Sequence, residues 1–170
     1  MADRGSLTAE QVERYARHIV LPEIGGRGQQ ALAAARVAMV GAGGLGSPVL
    51  TYLAAAGVGH LTVIDDDVVS LSNLQRQTLH RTDAIDRPKA ESAAHQIAAL
   101  NPHVAVKTRC ERLGPDNAEA LFSGHQIVVD GSDNFDTRYA VAEAAERRAI
   151  PLVTGAIQRF DGSVTVFAPH

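Results

Sequence analysis

Short apolar runs alternate along the chain with longer amphipathic segments. Residues 37–40 are apolar at every position, which is typical of a strand buried on both faces of a parallel sheet. Similar runs predict further strands over residues 61–64, 104–109, 127–129, 151–153 and 163–167. Helices are predicted between them over residues 47–56, 88–100 and 135–148. This alternation indicates a Rossmann-like, doubly wound α/β fold, with a mainly parallel sheet and helices on both faces.

A helical segment precedes the alternating region. Thr8 and Gln11 have the spacing of a capping box, so we predict a first helix over residues 8–20. A second helix is predicted over residues 29–35, and the glycine-rich stretch 25–28 is expected to be a flexible connection. The chain is therefore divided into an N-terminal helical segment and a Rossmann-like domain, over residues 1–35 and 36–170.

Composition and charge exclude several classes of protein. The chain has 170 residues and a formal net charge of −3, so no basic surface is expected for nucleic acid or anionic membranes. No apolar run is long enough to cross a bilayer, and the first ten residues lack the features of a signal peptide. Cys110 is the single cysteine and is predicted to be a small, buried or half-buried hydrophobic residue. These features favour a cytoplasmic protein.

A glycine-rich turn follows the first predicted strand. Gly41, Gly43 and Gly46 form a G-x-G-x-x-G motif between a strand and a helix, and Gly44 lies in the same turn. Such glycines allow a tight turn, close approach of phosphate to the backbone, and close packing of helix on strand. Asp65 follows about 20 residues later, where an acid that binds ribose is expected. The motif therefore predicts a nucleotide site.

The polar residues after the second strand favour a triphosphate over a nicotinamide. Asn73 and Arg76 are three residues apart, so on one helical turn their side chains would face the same way. Lys89 follows near the start of the next helix. Arginine offers planar, bidentate donors to phosphate, whereas lysine acts as a point charge.

A series of motifs covers nearly the whole chain. In order they are RYARHIVL (14–21), GAGGLGS (41–47), GVGHLTVIDDDVVSLSNLQRQTLH (57–80), RPKAES (87–92), NPH (101–103), GSDN (131–134) and PLVTGA (151–156). This series resembles the MoeB/ThiF/HesA family, which is related to ubiquitin-activating enzymes. SNLQRQ after an acidic strand end is much more specific than the glycine motif. The resemblance implies the N-terminal, ATP-binding portion of an adenylyltransferase.

The resemblance also implies a role for each matched polar residue. Asp65 would hold the ribose of ATP, and Asp133 would coordinate Mg²⁺, with Asp130 as a less favoured second ligand. The phosphates would be contacted by Asn73, Arg76 and Lys89. Arg17 would reach across a homodimer interface to the partner's ATP, with Arg14 as the nearby alternative.

The reaction that the resemblance implies activates a small protein. ATP would adenylate the C-terminal glycine carboxylate of a ubiquitin-like sulfur carrier, MoaD-like or ThiS-like, in molybdopterin or thiamin synthesis. The family continues past the position of His170 with two CxxC pairs that bind zinc, and this chain lacks those ligands. We therefore expect a truncated form that binds ATP but adenylates a carrier weakly or not at all.

Two other functions are consistent with parts of the sequence. A non-catalytic module could dimerise and keep a vestigial nucleotide site. An NAD-dependent oxidoreductase fragment is the less favoured alternative, because only the glycine turn and Asp65 support it.

Overall fold

The computed structural model describes residues 6–169 and contains one six-stranded sheet. The strands are β1 (Arg36–Val40), β2 (His60–Ile64), β3 (Ala105–Arg109), β4 (Ile127–Asp130), β5 (Leu152–Gln158) and β6 (Asp161–Phe167). Their spatial order is β3-β2-β1-β4-β5-β6, and only β6 runs antiparallel, against β5. This order confirms the predicted Rossmann-like, doubly wound, mainly parallel sheet.

Helices cover the sheet on both faces. They are α1 (Ala9–Arg14), α2 (Ala16–Ile19), α3 (Gly25–Ala34), α4 (Gly46–Ala56), α5 (Lys89–Leu100), α6 (Ala118–Leu121) and α7 (Phe135–Arg147), with 3₁₀ turns at Leu71–Asn73 and Thr82–Ala84. On one face Met39 packs with Leu50 and Ile97. On the other face Val128 packs with Phe122. Two apolar cores therefore hold the central strands between helices.

The central strand has the burial that its sequence predicts. β1 pairs with β2 on one side and with β4 on the other. Four of its five residues are buried, and Ala38 and Met39 are fully inaccessible. A strand enclosed on both faces and both edges has no solvated position in its interior, which is why residues 37–40 are all apolar.

The predicted first helix is interrupted at Tyr15. The capping box is present: Thr8 Oγ1 accepts from the Gln11 amide at 3.2 Å, and Gln11 Oε1 accepts from the Thr8 amide at 2.9 Å. Tyr15 leaves helical geometry, with φ −101° and ψ 15°, and so separates α1 from α2. Its ring is buried, and its hydroxyl accepts from Asn101 Nδ2 at 2.7 Å. The contact with Asn101, 86 residues away, therefore accompanies a break in a helix that the local sequence pattern predicts to be continuous.

The glycine-rich stretch before Gln29 is helical, so the prediction of a flexible connection is wrong. α3 begins at Gly25, which has φ +57°, and the Gly28 amide donates to Ile24 O at 2.8 Å. Buried Gln29 fixes this helix, because its Nε2 donates to Ala56 O at 2.9 Å. The division of the chain near residue 35 stays a prediction.

The sheet edges differ from the sequence expectation in two respects. β5 and β6 are longer than predicted and form a hairpin, with exposed apolar side chains that include Phe160 and Val164. Cys110 is exposed, so its predicted burial is wrong. It follows the edge strand β3, and its Sγ lies 4.0 Å from Glu91 Oε1 of α5.

Across residues 6–169, each helix is too short or too polar to span a bilayer. The first five residues, on which part of the signal-peptide prediction rests, lie outside the described residues.

Gly59 provides a test of how α3 packs on the sheet. It is buried, its amide donates to Leu32 O at 2.9 Å, and a Cβ there would overlap the carbonyl of Ala33. We expect Gly59→Ala to lower the free energy of unfolding by about 2–3 kcal/mol, because α3 must move away. Urea denaturation would measure this loss. Gly114→Ala, where nothing lies within 4 Å, is the control, and an equal loss in both variants would contradict the packing argument.

Candidate functional site

A cavity of about 550 Å³ lies beyond the carboxyl ends of β1 and β4, where the strand order reverses. Ligands of doubly wound folds bind at this switch point. Most predicted site residues line the cavity, together with polar residues that the sequence analysis did not select. These lining residues include Gly41, Gly43, Gly44, Asp65, Arg76, Gln77, Lys89, Ser132, Asp133 and Arg138.

The glycine turn has the geometry that its sequence predicts. Gly41 has φ +86°, which favours glycine, and a Cβ there would lie 3.1 Å from Gly131 O. Gly46 begins α4, outside the cavity lining, and a Cβ there would overlap the carbonyl of Gly41. The amino end of α4 is therefore held against the turn, where the positive end of the helix dipole favours an anion.

Asp65 joins the end of β2 to the glycine turn. Its Oδ2 accepts from the Ala42 amide at 2.7 Å, and its Oδ1 accepts from the Asp67 amide at 2.9 Å. Burial raises the pKa of Asp65, against the opposing effects of these two amides and of Lys89. Each carboxylate oxygen can accept a further hydrogen bond, so the predicted ribose contact is sterically and chemically compatible with this structural role.

Lys89 supplies a buried cation at the cavity wall. It is the first residue of α5 and is 4% exposed, and its Nζ lies 2.7 Å from Asp67 Oδ2. The Lys89 amide also donates to Asp67 O at 2.9 Å. Asp67 itself is largely exposed, so the ion pair orients the ammonium group without fully removing the carboxylate from water.

Arg76 and Asn73 do not share the cavity. The Arg76 side chain lies beside Gly44, where a Cβ would be 3.5 Å from Arg76 Cδ. Asn73 ends a 3₁₀ turn and is absent from the lining, while its carbonyl accepts from the amides of Arg76 and Gln77. The structure therefore gives Asn73 a role in shaping this turn, and its contact with phosphate stays a prediction.

Asp133 and Asp130 have different environments after β4. Asp130 is 2% exposed, its Oδ1 accepts from the Ser132 amide and its Oδ2 from Thr154 Oγ1, each at 2.9 Å. Asp133 is exposed and lines the cavity. Within residues 6–169, no group of three or more His, Cys, Asp or Glu side chains is arranged to hold a metal ion. Of these two aspartates, Asp133 is the carboxylate available to a ligand.

The two basic residues of the N-terminal helices also differ. Arg14 Nη1 donates to Leu100 O at 3.1 Å, which ties it to the end of α5. Arg17 is exposed on α2 and does not line the cavity of its own chain. This placement is compatible with a contact made to another protomer, and that contact stays a prediction.

Sequence reasoning missed several polar lining residues, among them Gln77, Ser132 and Arg138. Gln77 and Ser132 are both more than nine-tenths buried, and within the described chain Gln77 Oε1 and Ser132 Oγ have no hydrogen-bond partner. Arg138 Nη2 donates to Ser132 O at 2.6 Å and to Gly155 O at 3.1 Å. Gln77 belongs to the SNLQRQ motif, and this motif could have identified it as a site residue. No local sequence pattern identifies Arg138.

His80 connects the glycine turn to the helix that carries Lys89. Its Nε2 lies 2.8 Å from Ala42 O and its Nδ1 lies 2.9 Å from Ser92 Oγ. A carbonyl can only accept, so Nε2 carries the proton, and in the neutral ring Nδ1 accepts from the serine hydroxyl. Burial lowers the pKa of His80, and Lys89 lowers it further against the Ala42 bond. The neutral ring is therefore the form that fits this site.

The fold and the site together define a Rossmann-like domain with a polar ligand cavity at its switch point. The chain belongs to the ThiF family, whose model matches residues 15–170.

Three relatives that this chain resembles are longer, and the chain spans about 60% of their length. The SAMP-activating enzyme E1 of Haloferax volcanii is 50% identical over 96% of this chain and 61% of its own length. The sulfur carrier protein adenylyltransferase of Thermus thermophilus is 49% identical over 94% of this chain and 59% of its own length. The tRNA N6-threonylcarbamoyladenosine dehydratase of E. coli, solved in complex with ATP, superposes with a TM-score of 0.84 at 31% identity, over 91% of this chain and 64% of that one.

His80 makes the stability of the domain depend on pH. Its folded pKa lies below the unfolded value of about 6.5, so its contribution is complete above that pH and is lost as the pH falls through the folded pKa. We expect the free energy of unfolding to decline from pH 7 to pH 5, and His80→Gln to make this decline shallower. At pH 7 the same variant should lose about 1–3 kcal/mol from its two buried hydrogen bonds.

Urea titrations at several pH values would measure both effects. Exposed His95→Gln is the matched control and should keep the wild-type slope. The decline should not vanish in His80→Gln, because burial also lowers the pKa values of His60 and His125. A wild-type slope in the His80 variant would argue against the neutral ring as the folded form.

Proposed function

We propose that this chain is the ATP-binding portion of an adenylyltransferase that activates the C-terminal glycine carboxylate of a ubiquitin-like sulfur carrier. One observation carries the proposal. Arg76 and Lys89 bring two cations, and Asp133 a free carboxylate, to one cavity beside the glycine turn. The names of relatives about 50% identical support the carrier as substrate, and the ATP complex of the dehydratase supports the nucleotide.

The proposed reaction is limited by electrostatics rather than by proton transfer. A C-terminal carboxylate is ionised at neutral pH, so it can attack the α-phosphorus of ATP without a general base. A bond forms between a carboxylate oxygen and the α-phosphorus as the bond from that phosphorus to pyrophosphate breaks. The products are an acyl-adenylate and pyrophosphate. The obstacle is the meeting of two anions and the charge that develops on the leaving group. The cations of Arg76 and Lys89 lower both costs.

Neighbouring residues position the groups that touch the substrate. Asp67 orients the Lys89 ammonium, since its carboxylate oxygen lies 2.7 Å from Nζ. Arg138 holds the loop after β4 through the carbonyl of Ser132, and Asp133 is the next residue. Preorganised side chains cost little reorganisation during the reaction, which favours positioning by rigid neighbours.

The donor set around Asp133 fits a magnesium ion that is also held by phosphates. Mg²⁺ binds proteins through one or two carboxylates, with substrate phosphates and water completing its shell. Asp133 would provide that carboxylate, because it is exposed and lines the cavity, whereas Asp130 is 2% exposed and does not line it. When bound, the ion neutralises phosphate charge. Zinc has no proposed ligands in this chain.

The proposed assembly is a cytoplasmic homodimer that takes a MoaD-like or ThiS-like carrier. The sequence relatives are divided between molybdopterin and other sulfur-carrier names, so the proposal stops at the carrier class. The alternative of an NAD-dependent fragment gives no role to Arg76 and Lys89 as a pair, and it enters the test below as a competing ligand.

Removing one cavity cation should weaken ATP binding by about tenfold or more, since a charge-assisted hydrogen bond is lost. Lys89→Met and Arg76→Gln keep much of the side-chain volume and delete the charge. Asp133→Asn should reduce the dependence of binding on Mg²⁺. Isothermal titration calorimetry of ATP with and without Mg²⁺ would measure these changes.

The control for charge is Arg27→Gln, an exposed arginine of α3 outside the cavity. It should bind ATP like the unaltered chain. Tighter binding of NAD than of ATP would overturn the proposal. Carrier-stimulated pyrophosphate exchange is the second measurement, and we expect it to be weak, because the chain spans about 60% of the carrier-activating relatives.

Arg17 should act on the ATP of the partner protomer. Arg17→Ala and Lys89→Met should each bind ATP weakly as homodimers. Mixed dimers should regain one complete site, since Lys89 of one protomer and Arg17 of the other then meet the same nucleotide. Calorimetry on co-refolded protein would detect the regained site. Unchanged ATP binding by Arg17→Ala, or no recovery on mixing, would remove Arg17 from the site.

A further inference from the structure

A second cavity, of about 250 Å³, lies on the face of β2 and β3 and shares no lining residue with the nucleotide cavity. Thr62 of β2 is in register with Lys107 of β3, and His60 is in register with Ala105. Alternate residues of a strand point to one face, so His60, Thr62, Lys107 and Arg109 share this surface. The cavity is therefore a polar groove on the sheet.

The groove is open because the crossover above it is short. The segment from β3 to β4 contains only α6, a helix of four residues, whereas α5 covers the opposite face with twelve. Ser123 and His125, which follow α6, form one wall. A strand paired on both sides usually carries apolar residues on both faces, so the polar residues of β2 here need a separate explanation.

The charges of the groove all have one sign. Arg36, Lys107 and Arg109 line it, and its lining contains no Asp or Glu. Throughout residues 6–169, these three cations form no ion pair with a carboxylate, although the whole chain has a net charge of −3. Charges on an edge strand can prevent aggregation, which would account for Lys107 and Arg109. It does not account for Arg36, because β1 lies inside the sheet.

Two histidines lie among these cations. His125 Nε2 is 2.8 Å from Thr62 Oγ1, and its Nδ1 is buried with no partner in the described chain. After burial, Arg36 and Lys107 each lower the pKa of both His60 and His125. Arg36 and Lys107 therefore lie near the rings of both His60 and His125. These four side chains surround the groove.

We propose that this groove binds a small multivalent phosphate anion, such as pyrophosphate or a phosphate ester. Arg36 can offer a planar pair of donors, and Lys107 adds a point charge. The volume is below the usual range for drug-sized ligands, which suits a compact anion. The site is separate from the nucleotide cavity, so it does not depend on the proposed adenylyltransferase activity.

Histidine NMR on the 170-residue chain would test the site with pyrophosphate as the probe. An Arg76→Gln background reduces binding in the nucleotide cavity. We expect the ring resonances of His60 and His125 to shift saturably, with His95 unchanged. Lys107→Gln should weaken this binding by about tenfold, because one charged contact is lost. Exposed Arg27→Gln is the matched control and should bind pyrophosphate as before.

Several results would overturn the proposal. One is the absence of a saturable shift at His60 and His125. Another is an equal affinity for pyrophosphate in Lys107→Gln and Arg27→Gln. A third is tighter binding of a hexaglutamate peptide than of pyrophosphate. The last result would assign the groove to an acidic protein segment. Both variants replace exposed residues, so the comparison does not depend on a buried substitution that unfolds the chain.

Discussion

Hydrogen bonds hold the backbone of Ala42 at both its amide and its carbonyl, and the candidate site depends on this constraint. Asp65 accepts the Ala42 amide at 2.7 Å, and His80 donates to the Ala42 carbonyl at 2.8 Å. The glycine turn has little conformational restriction of its own. These two bonds connect it to the end of β2 and to the segment before α5. The glycines permit the turn, and the side chains of Asp65 and His80 select one arrangement of it.

The same network sets the position of the cavity cations. His80 also reaches Ser92 of α5, three residues after Lys89. Lys89 in turn is bound by Asp67, and the Asp67 amide donates to Asp65. Displacement of the glycine turn would therefore shift the lysine and the acidic strand end together. The proposed catalysis by positioned charge would require such coupling, because a small error in one group would weaken the field at the phosphates.

Local patterns predicted the features that local chemistry determines. Four consecutive apolar residues sufficed to place β1 inside the sheet, and the glycine motif placed the cavity. Features set by distant contacts were missed or wrong: the break at Tyr15 depends on Asn101, and Cys110 is exposed where the edge strand β3 ends. Spacing paired Asn73 with Arg76, and of the two only Arg76 lines the cavity, so the contact of Asn73 with phosphate stays a prediction. Gln77 was missed although it lies in the same SNLQRQ motif as Asn73 and Arg76.

The cations of this chain occupy two kinds of environment, and the contrast bears on both proposals. Lys89 is bound by a carboxylate, and Arg138 donates to two carbonyls, so each is fixed before any ligand arrives. In the groove on β2 and β3, Arg36 and Lys107 have no such partner within residues 6–169, and they face two histidines whose charging they oppose. Like charges held together raise the free energy of the folded state unless an anion joins them. The fixed cations suit a site that must orient a reaction, whereas the uncompensated cations suit one that only binds.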